Sequence, residues 1–363
     1  MNVSRPRKQH YLPQFYLRGF SDGGTHFHQI EKKTGKSFGA RVADSAAIRD
    51  FHTLDFKDCP DPDAFEKLLA TVEGAIAPAL SDLLLTERFS SDSRLAINRL
   101  TAMLMARVPA SKAMVEQVTQ EVMRSVGIQL QMHGKLPDPP IGFEDALSFE
   151  NLSIEVANWH LVKHMFSLAF DEDILHVVGR LQAELIKAPN GRQFITGDQP
   201  VAQFNGDARP EESNGRGGLA DPDTVLTLPL SSELALALYY GPAKENKPRI
   251  ASEDEIDEVN RRTIVMAVER LFVRAPDESI TKLLLRHGHC QAGSEFSVIR
   301  KPGGTAYHKL INMPVMDRRL YEPLGAQNKF TPREFRPREL RSNRGAVYPM
   351  MMQRISPESE SNT

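Results

Sequence analysis

The chain has 363 residues, 40% of them hydrophobic and 25% charged, and a formal net charge of −2. This is enough apolar material for one large core or two smaller ones, which excludes a chain disordered throughout, and the near balance of charge excludes a global basic field for nucleic acid. Two cysteines, Cys59 and Cys290, far apart and without CxxC spacing, supply neither a disulfide framework nor a zinc site and fit a reducing compartment.

Residues 1–8 are basic with no apolar stretch behind them that could serve as a signal peptide, and no run of about 18 apolar residues occurs, so the expectation is a soluble cytoplasmic protein with no membrane partner. The segment from Gln9 to Phe20 places His10, Tyr11, Pro13, Phe15 and Tyr16 where a dispensable terminus would be plain and polar. Its histidine titrates near neutrality and is a candidate for acid/base or ligand work. A short helix over 13–20, with Pro13 in its first turn, and a hairpin over 24–42, turning at Lys33-Thr34-Gly35-Lys36, follow. Helical periodicity then runs over 64–85, 92–107, 110–133, 150–169 and 172–187. After Asn190-Gly191 the pattern becomes strand-like at 193–196, 224–228 and 233–240, around a Gly-, Asp- and Asn-rich loop over 205–223 that is expected to be mobile. A helix over 253–271 opens with the capping box Ser252 and Glu255, and residues 272–274 pass into a strand. From about residue 329 the chain is Pro- and Arg-bearing and ends in a polar run, which predicts a flexible tail.

The predicted class is α+β: a predominantly helical body, about 60–190, and a small, mostly antiparallel sheet in a sheet-bearing part, about 191–328. The N-terminal hairpin folds back over the site, and residues 1–328 make a single globular unit.

Three helices carry a polar residue in their apolar stripe. Glu73 lies between Leu69 and Ile76, Arg107 ends the stripe of Ile97, Leu100 and Leu104 just before Val108-Pro109, and Asn260 occupies a core position between Ile256 and Ile264. Unpartnered burial costs several kcal/mol apiece, so the simplest solution is that these groups meet one another or a wet pocket. Asp198, at a strand end in Thr196-Gly197-Asp198-Gln199-Pro200, and Ser231, in Pro229-Leu230-Ser231, complete the set. The competing reading is structural: an orienting Glu73–Arg107 ion pair, Asn260 on a carbonyl, and Asp198 closing a turn. His26 with His28, and His160 with His164, share faces but lack a third ligand or an HExxH context, so no metal site is assigned. There is no P-loop, GxSxG or dinucleotide fingerprint.

The string Gln9-His10-Tyr11-Leu12-Pro13-Gln14-Phe15-Tyr16-Leu17, with Asp50-Phe51-His52-Thr53, Glu73, Arg107, residues 194–201, Pro229-Leu230-Ser231 and Asn260, resembles the bacterial domain-of-unknown-function family numbered forty-two thirty-eight. The order matches over about 9–275. The family pattern usually has Ser-Asp-Asn-Pro where this chain has Gly197-Asp198-Gln199-Pro200, and tyrosine in place of His52. The resemblance implies a fold and a motif set and supplies no activity.

Two functions compete. The first is a hydrolase or transferase acting on a phosphate-containing or nucleotide-like substrate, with His10 as general acid/base and Asp198 or Glu73 as base. Arg107 would clamp the anion, Asn260, Tyr11 and Ser231 would contact substrate, and oxygen ligands would favour Mg or Mn if a metal takes part. The second is a non-catalytic sensor of a small anionic ligand, or a partner-binding module of a bacterial stress or defence system. Nucleic acid would enter only through the tail arginines Arg333, Arg336, Arg338, Arg341 and Arg344.

Overall fold

Local signals set most element boundaries. Asp171 and Ser252 accept backbone N–H bonds at helix starts, and Ser252 and Glu255 form the reciprocal capping box. The computed structural model describes residues 7–145, 147–149, 152–205, 219, 224–242, 244–290, 294–300 and 306–312. The expected tail from residue 329, and all of the expected 205–223 loop except Asn205 and Leu219, lie outside the described residues.

In chain order the elements are β1 (Lys8–His10), α1 (Gln14–Leu17, continued by a 3-10 turn to Phe20), β2 (His26–Glu31), β3 (Ser37–Arg41) and β4 (Ala47–Arg49). Next come α2 (Ala64–Thr86), α3 (Ser91–Ala106), α4 (Pro109–Met132), α5 (Asn158–Ala169) and α6 (Glu172–Arg180). Then follow β5 (Gln182–Lys187), β6 (Thr196–Gly197), β7 (Ala202–Asn205), β8 (Thr224–Pro229), β9 (Leu234–Tyr239) and β10 (Arg249–Ile250). The last are α7 (Glu253–Met266), β11 (Arg270–Val273), α8 (Glu278–His287), β12 (Ser294–Arg300) and β13 (Ala306–Asn312).

The fold is mixed α+β with small, mostly antiparallel sheets. One sheet has the order β10-β5-β9-β8-β7, with only β10 and β5 parallel; another has the order β3-β2-β11-β6 and is antiparallel throughout. The N-terminal hairpin therefore joins the second sheet through β11, with Glu31 opposite Arg270.

Some expectations need correcting. The helix expected over 172–187 stops at Arg180, and Gln182–Lys187 is a strand pairing with β9, because that partner satisfies its backbone fifty residues on. The helix expected over 253–271 stops at Met266, where the chain turns into β11. The one expected over 150–169 begins at Asn158.

The stripes behave as drawn. Leu69, Ile76, Leu80 and Leu83 of α2 and Ile97, Leu100 and Leu104 of α3 belong to one core cluster with Leu12, Tyr16, Leu17 and Phe20. Each such side chain contributes about 1.5–3 kcal/mol relative to exposure. By length and composition α2 is apolar enough to cross a membrane. That stripe is nevertheless buried against protein.

Candidate functional site

The segments that carry the motif residues are tied together by one side chain. The phenol of Tyr16, fully buried, shares a hydrogen bond with the Thr196 hydroxyl at 2.7 Å and donates to the Pro229 carbonyl at 2.8 Å. With the Ser232 N–H bonded to the Gly19 carbonyl, the Gln9–Phe20 segment, the Gly-Asp turn and the Pro-Leu-Ser turn are held in one frame. A Cβ on Gly19 would come within 2.7 Å of the Leu230 carbonyl oxygen, so this junction admits only glycine without a shift.

Around that frame the candidate residues divide into two groups. In the first, Arg107, only 2% exposed, donates one NH group to Glu73 and the other to the backbone carbonyl of His10. The His10 ring donates through Nε2 to the Ala43 carbonyl at 3.2 Å, which leaves Nδ1 as the lone-pair nitrogen. Burial lowers the pKa of His10, against the opposing effect of the Ala43 bond. About two turns back along α2 from Glu73, Glu66 accepts a bond from Nδ1 of His52, whose ring is fully buried beside Phe51 and Phe65. Gln9 holds this loop in place: its carbonyl accepts from the His52 N–H at 2.6 Å and its amide reaches the Thr53 hydroxyl. Lys112 bonds the Phe51 carbonyl at 3.3 Å and the Asn158 amide oxygen, and the Asn158 amide returns to the carbonyls of Asp50 and Thr53.

The second group centres on the turn between α7 and β11. Asp198, 6% exposed, accepts three backbone N–H bonds, from Val268 at 2.8 Å, Glu269 at 2.7 Å and Arg270 at 3.0 Å. Burial pushes its carboxyl up, against those three donors, which favour the charged form. On the other side of the same turn the buried ammonium of Lys32 donates to the Val265 and Ala267 carbonyls, at 3.2 and 2.6 Å. Asn260, fully buried, replaces a missing strand partner: its oxygen accepts from the Ile195 N–H and its amide donates to the Gln193 carbonyl. That explains why the strand expected over 193–196 is reduced to Thr196–Gly197. The Ser231 hydroxyl accepts from the N–H groups of Glu233 and Leu234 and closes its own turn. Tyr11, 6% exposed, stands between the groups, edge-on to Phe51 and within the field of Asp198 and Glu269.

The structure thus brings Glu73 and Arg107 together with the His10 backbone, but the expected convergence stops there: Asn260, Asp198 and Ser231 lie apart and hold backbone instead. Sequence patterning passed over Glu66, although Glu66 and Glu73 lie seven residues apart on one face of α2, a spacing open to reading. Lys112, Asn158 and Lys32 carried no pattern signal. Among the described residues no group of three or more His, Cys, Asp or Glu side chains could hold a metal ion, so the oxygen donors expected for Mg or Mn are not gathered.

The buried imidazole of His52 has its pKa pulled down to about 4 by desolvation, with the Glu66 bond acting the other way. A histidine held neutral in the fold contributes stability that is complete above its unfolded value near 6.5 and is lost as pH falls towards 4. The loss amounts to about 3 kcal/mol. Urea unfolding of wild type and His52→Phe across pH 4–7.5 is expected to show this acid limb flattened in the variant, which keeps the aromatic packing. Parallel pH profiles would disprove the assignment.

The chain belongs to the family described as protein of unknown function (DUF4238), whose model matches residues 8–277. No curated protein and no solved structure matches the chain.

Proposed function

Taking that family membership as the premise, we propose that the protein is a non-catalytic binding module whose small-ligand site is the partly exposed surface around His10, Glu66 and Glu73. One observation carries this reading: the groups that a phosphate-directed hydrolase or transferase would use are already committed. Arg107, the prospective anion clamp, is buried and its two NH groups are taken by Glu73 and the His10 carbonyl. Asp198, the prospective base, is occupied by three backbone donors.

What remains accessible is of the opposite kind. The Glu66 and Glu73 side chains are 32% and 25% exposed. Each gives one oxygen to a protein donor, which leaves the other as an acceptor, and the neutral His10 ring adds a lone pair. Such a set of acceptors suits a donor-bearing cation, an amine or guanidine, better than a phosphate.

The test is a thermal-shift panel of amines, guanidines, nucleotides and phosphorylated metabolites, on wild type and Glu66→Gln. A ligand at a hundred times its Kd stabilises by about 2.7 kcal/mol. The expected result is stabilisation by a cationic compound that Glu66→Gln weakens at least tenfold, with no compound consumed. Stabilisation by phosphorylated compounds alone, or turnover of one that His10→Ala abolishes, would restore the enzyme reading.

A further inference from the structure

The outward face of α5 carries two imidazoles in contact. Leu161, Val162, Met165 and Ala169 are buried on the other side of the helix, which leaves His160 half-buried and His164, one turn on, exposed. Their ring centroids are 4.7 Å apart, with 75° between the planes. Among the described residues neither ring has a hydrogen-bond partner, so either nitrogen of each can present a lone pair. Burial, with His160 and Lys163 close by, lowers the pKa of His164 and favours the neutral form that a metal needs.

We propose that His160 and His164 chelate a divalent transition ion of the zinc, nickel and copper class. Two observations carry this beyond the four-residue spacing. The first is separation. With metal–nitrogen bonds of about 2.0–2.1 Å, two imidazoles on one ion have their centroids about 4.5 Å apart at a right angle and about 5.2 Å apart at the tetrahedral angle. The observed 4.7 Å lies between the two. Turning the nitrogens inward uses χ2, a soft torsion, and needs no movement of the backbone. The second is rigidity. The Trp159 N–H donates to Asp55 Oδ1 at 2.8 Å, the Asn158 amide donates to the carbonyls of Asp50 and Thr53, and the Trp159 ring packs edge-on with Phe56. The turn that starts α5 is therefore fixed, and the pair stands on a regular helix rather than a loop. His26 and His28 differ, since His26 Nδ1 already meets the Thr25 hydroxyl. Imidazole nitrogens select this class of ion over Mg or Ca, which take oxygen. Among the described residues no third His, Cys, Asp or Glu joins the pair, so water completes the coordination.

The chain carries its own reporter: Trp159 is its single tryptophan, and its ring centroid lies 5.6 Å from that of His160. Nickel, with a partly filled d shell, quenches indole emission at such range, whereas zinc, d¹⁰, does not. The full chain is to be titrated with Ni²⁺ while this emission is followed, with Zn²⁺ as competitor and Mg²⁺ as control, beside His164→Ala and a control, His26→Ala/His28→Ala. Wild type and the control variant are expected to be quenched, and the emission to return with excess Zn²⁺ but not with Mg²⁺. Losing a group merely behind a metal ligand costs about 10–100-fold in affinity. His164→Ala removes a ligand and leaves Trp159 and the ring touching it in place, so it should raise the Ni²⁺ dissociation constant by about tenfold or more, with unchanged circular dichroism. Should that variant fail to fold, His164→Gln decides. Emission that millimolar Ni²⁺ leaves unchanged, quenching that Zn²⁺ fails to reverse, or quenching undiminished in the His164 variants would overturn the proposal.

Discussion

Asp198→Ala is expected to destabilise the protein by about 2–4 kcal/mol, because it strips the acceptor from three adjacent N–H groups in the turn that launches β11. The lower end applies if water reaches the vacated site and the upper end if the turn stays closed. Damage should spread along the four-stranded sheet, since β11 is the strand that holds both β2 and β6. Asp198→Asn keeps one acceptor oxygen but sets its amide donors against backbone donors, so it should fall between wild type and Ala. Urea unfolding checks this: the midpoint should drop with the slope unchanged, as it does when stability alone is altered. If Asp198→Ala were as stable as wild type, the carboxylate would have to be held for chemistry rather than for the turn.

The ion pair between α2 and the end of α3 should respond asymmetrically. Glu73→Ala leaves a guanidinium 3% exposed without its counter-charge and should cost about 3–5 kcal/mol. Arg107→Met removes the buried charge itself, fills similar volume, and leaves Glu73, a quarter exposed, free to turn to water. Its main penalty is the His10 carbonyl deprived of a donor, about 1–2 kcal/mol. The double variant should cost less than Glu73→Ala alone. An anion clamp in an open pocket would behave differently, because water would solvate either survivor and both single changes would lie within about 0.5 kcal/mol of wild type.

Features with a local signal were legible. The stripe of α2, the break at Val108-Pro109 and the Ser252 capping box each lie within a few residues, and all three hold in the structure. The inward position of Glu73 and Arg107 was legible for the same reason, and so was the need for each to find a partner. What failed depended on distant partners. Residues 182–187 read as helix because nothing near them announces β9, and residues 193–195 read as strand because nothing near them announces Asn260, whose side chain takes the Gln193 carbonyl and the Ile195 N–H in place of a neighbouring strand. Asp198 was visible as a carboxylate at a strand end, but its three donors lie about seventy residues away, so holding a turn and doing chemistry looked alike. The helix α8 was passed over although Ile280, Leu283 and Leu284 repeat at helical spacing behind Asp277 as cap.

The Tyr16 junction also bears on how the chain is made. Its hydroxyl waits for Pro229, 213 residues further on, and Glu31 waits for Arg270, 239 residues further on. At ribosomal speeds of about 5–20 residues per second, that interval is roughly 10–50 s. For all of it the Tyr16 hydroxyl lacks its Pro229 acceptor and the β11-facing edge of β2 has no native mate. Nascent chains arrested before β11 should therefore bind chaperones through their first fifty residues, while those arrested with β11 clear of the exit tunnel should be released.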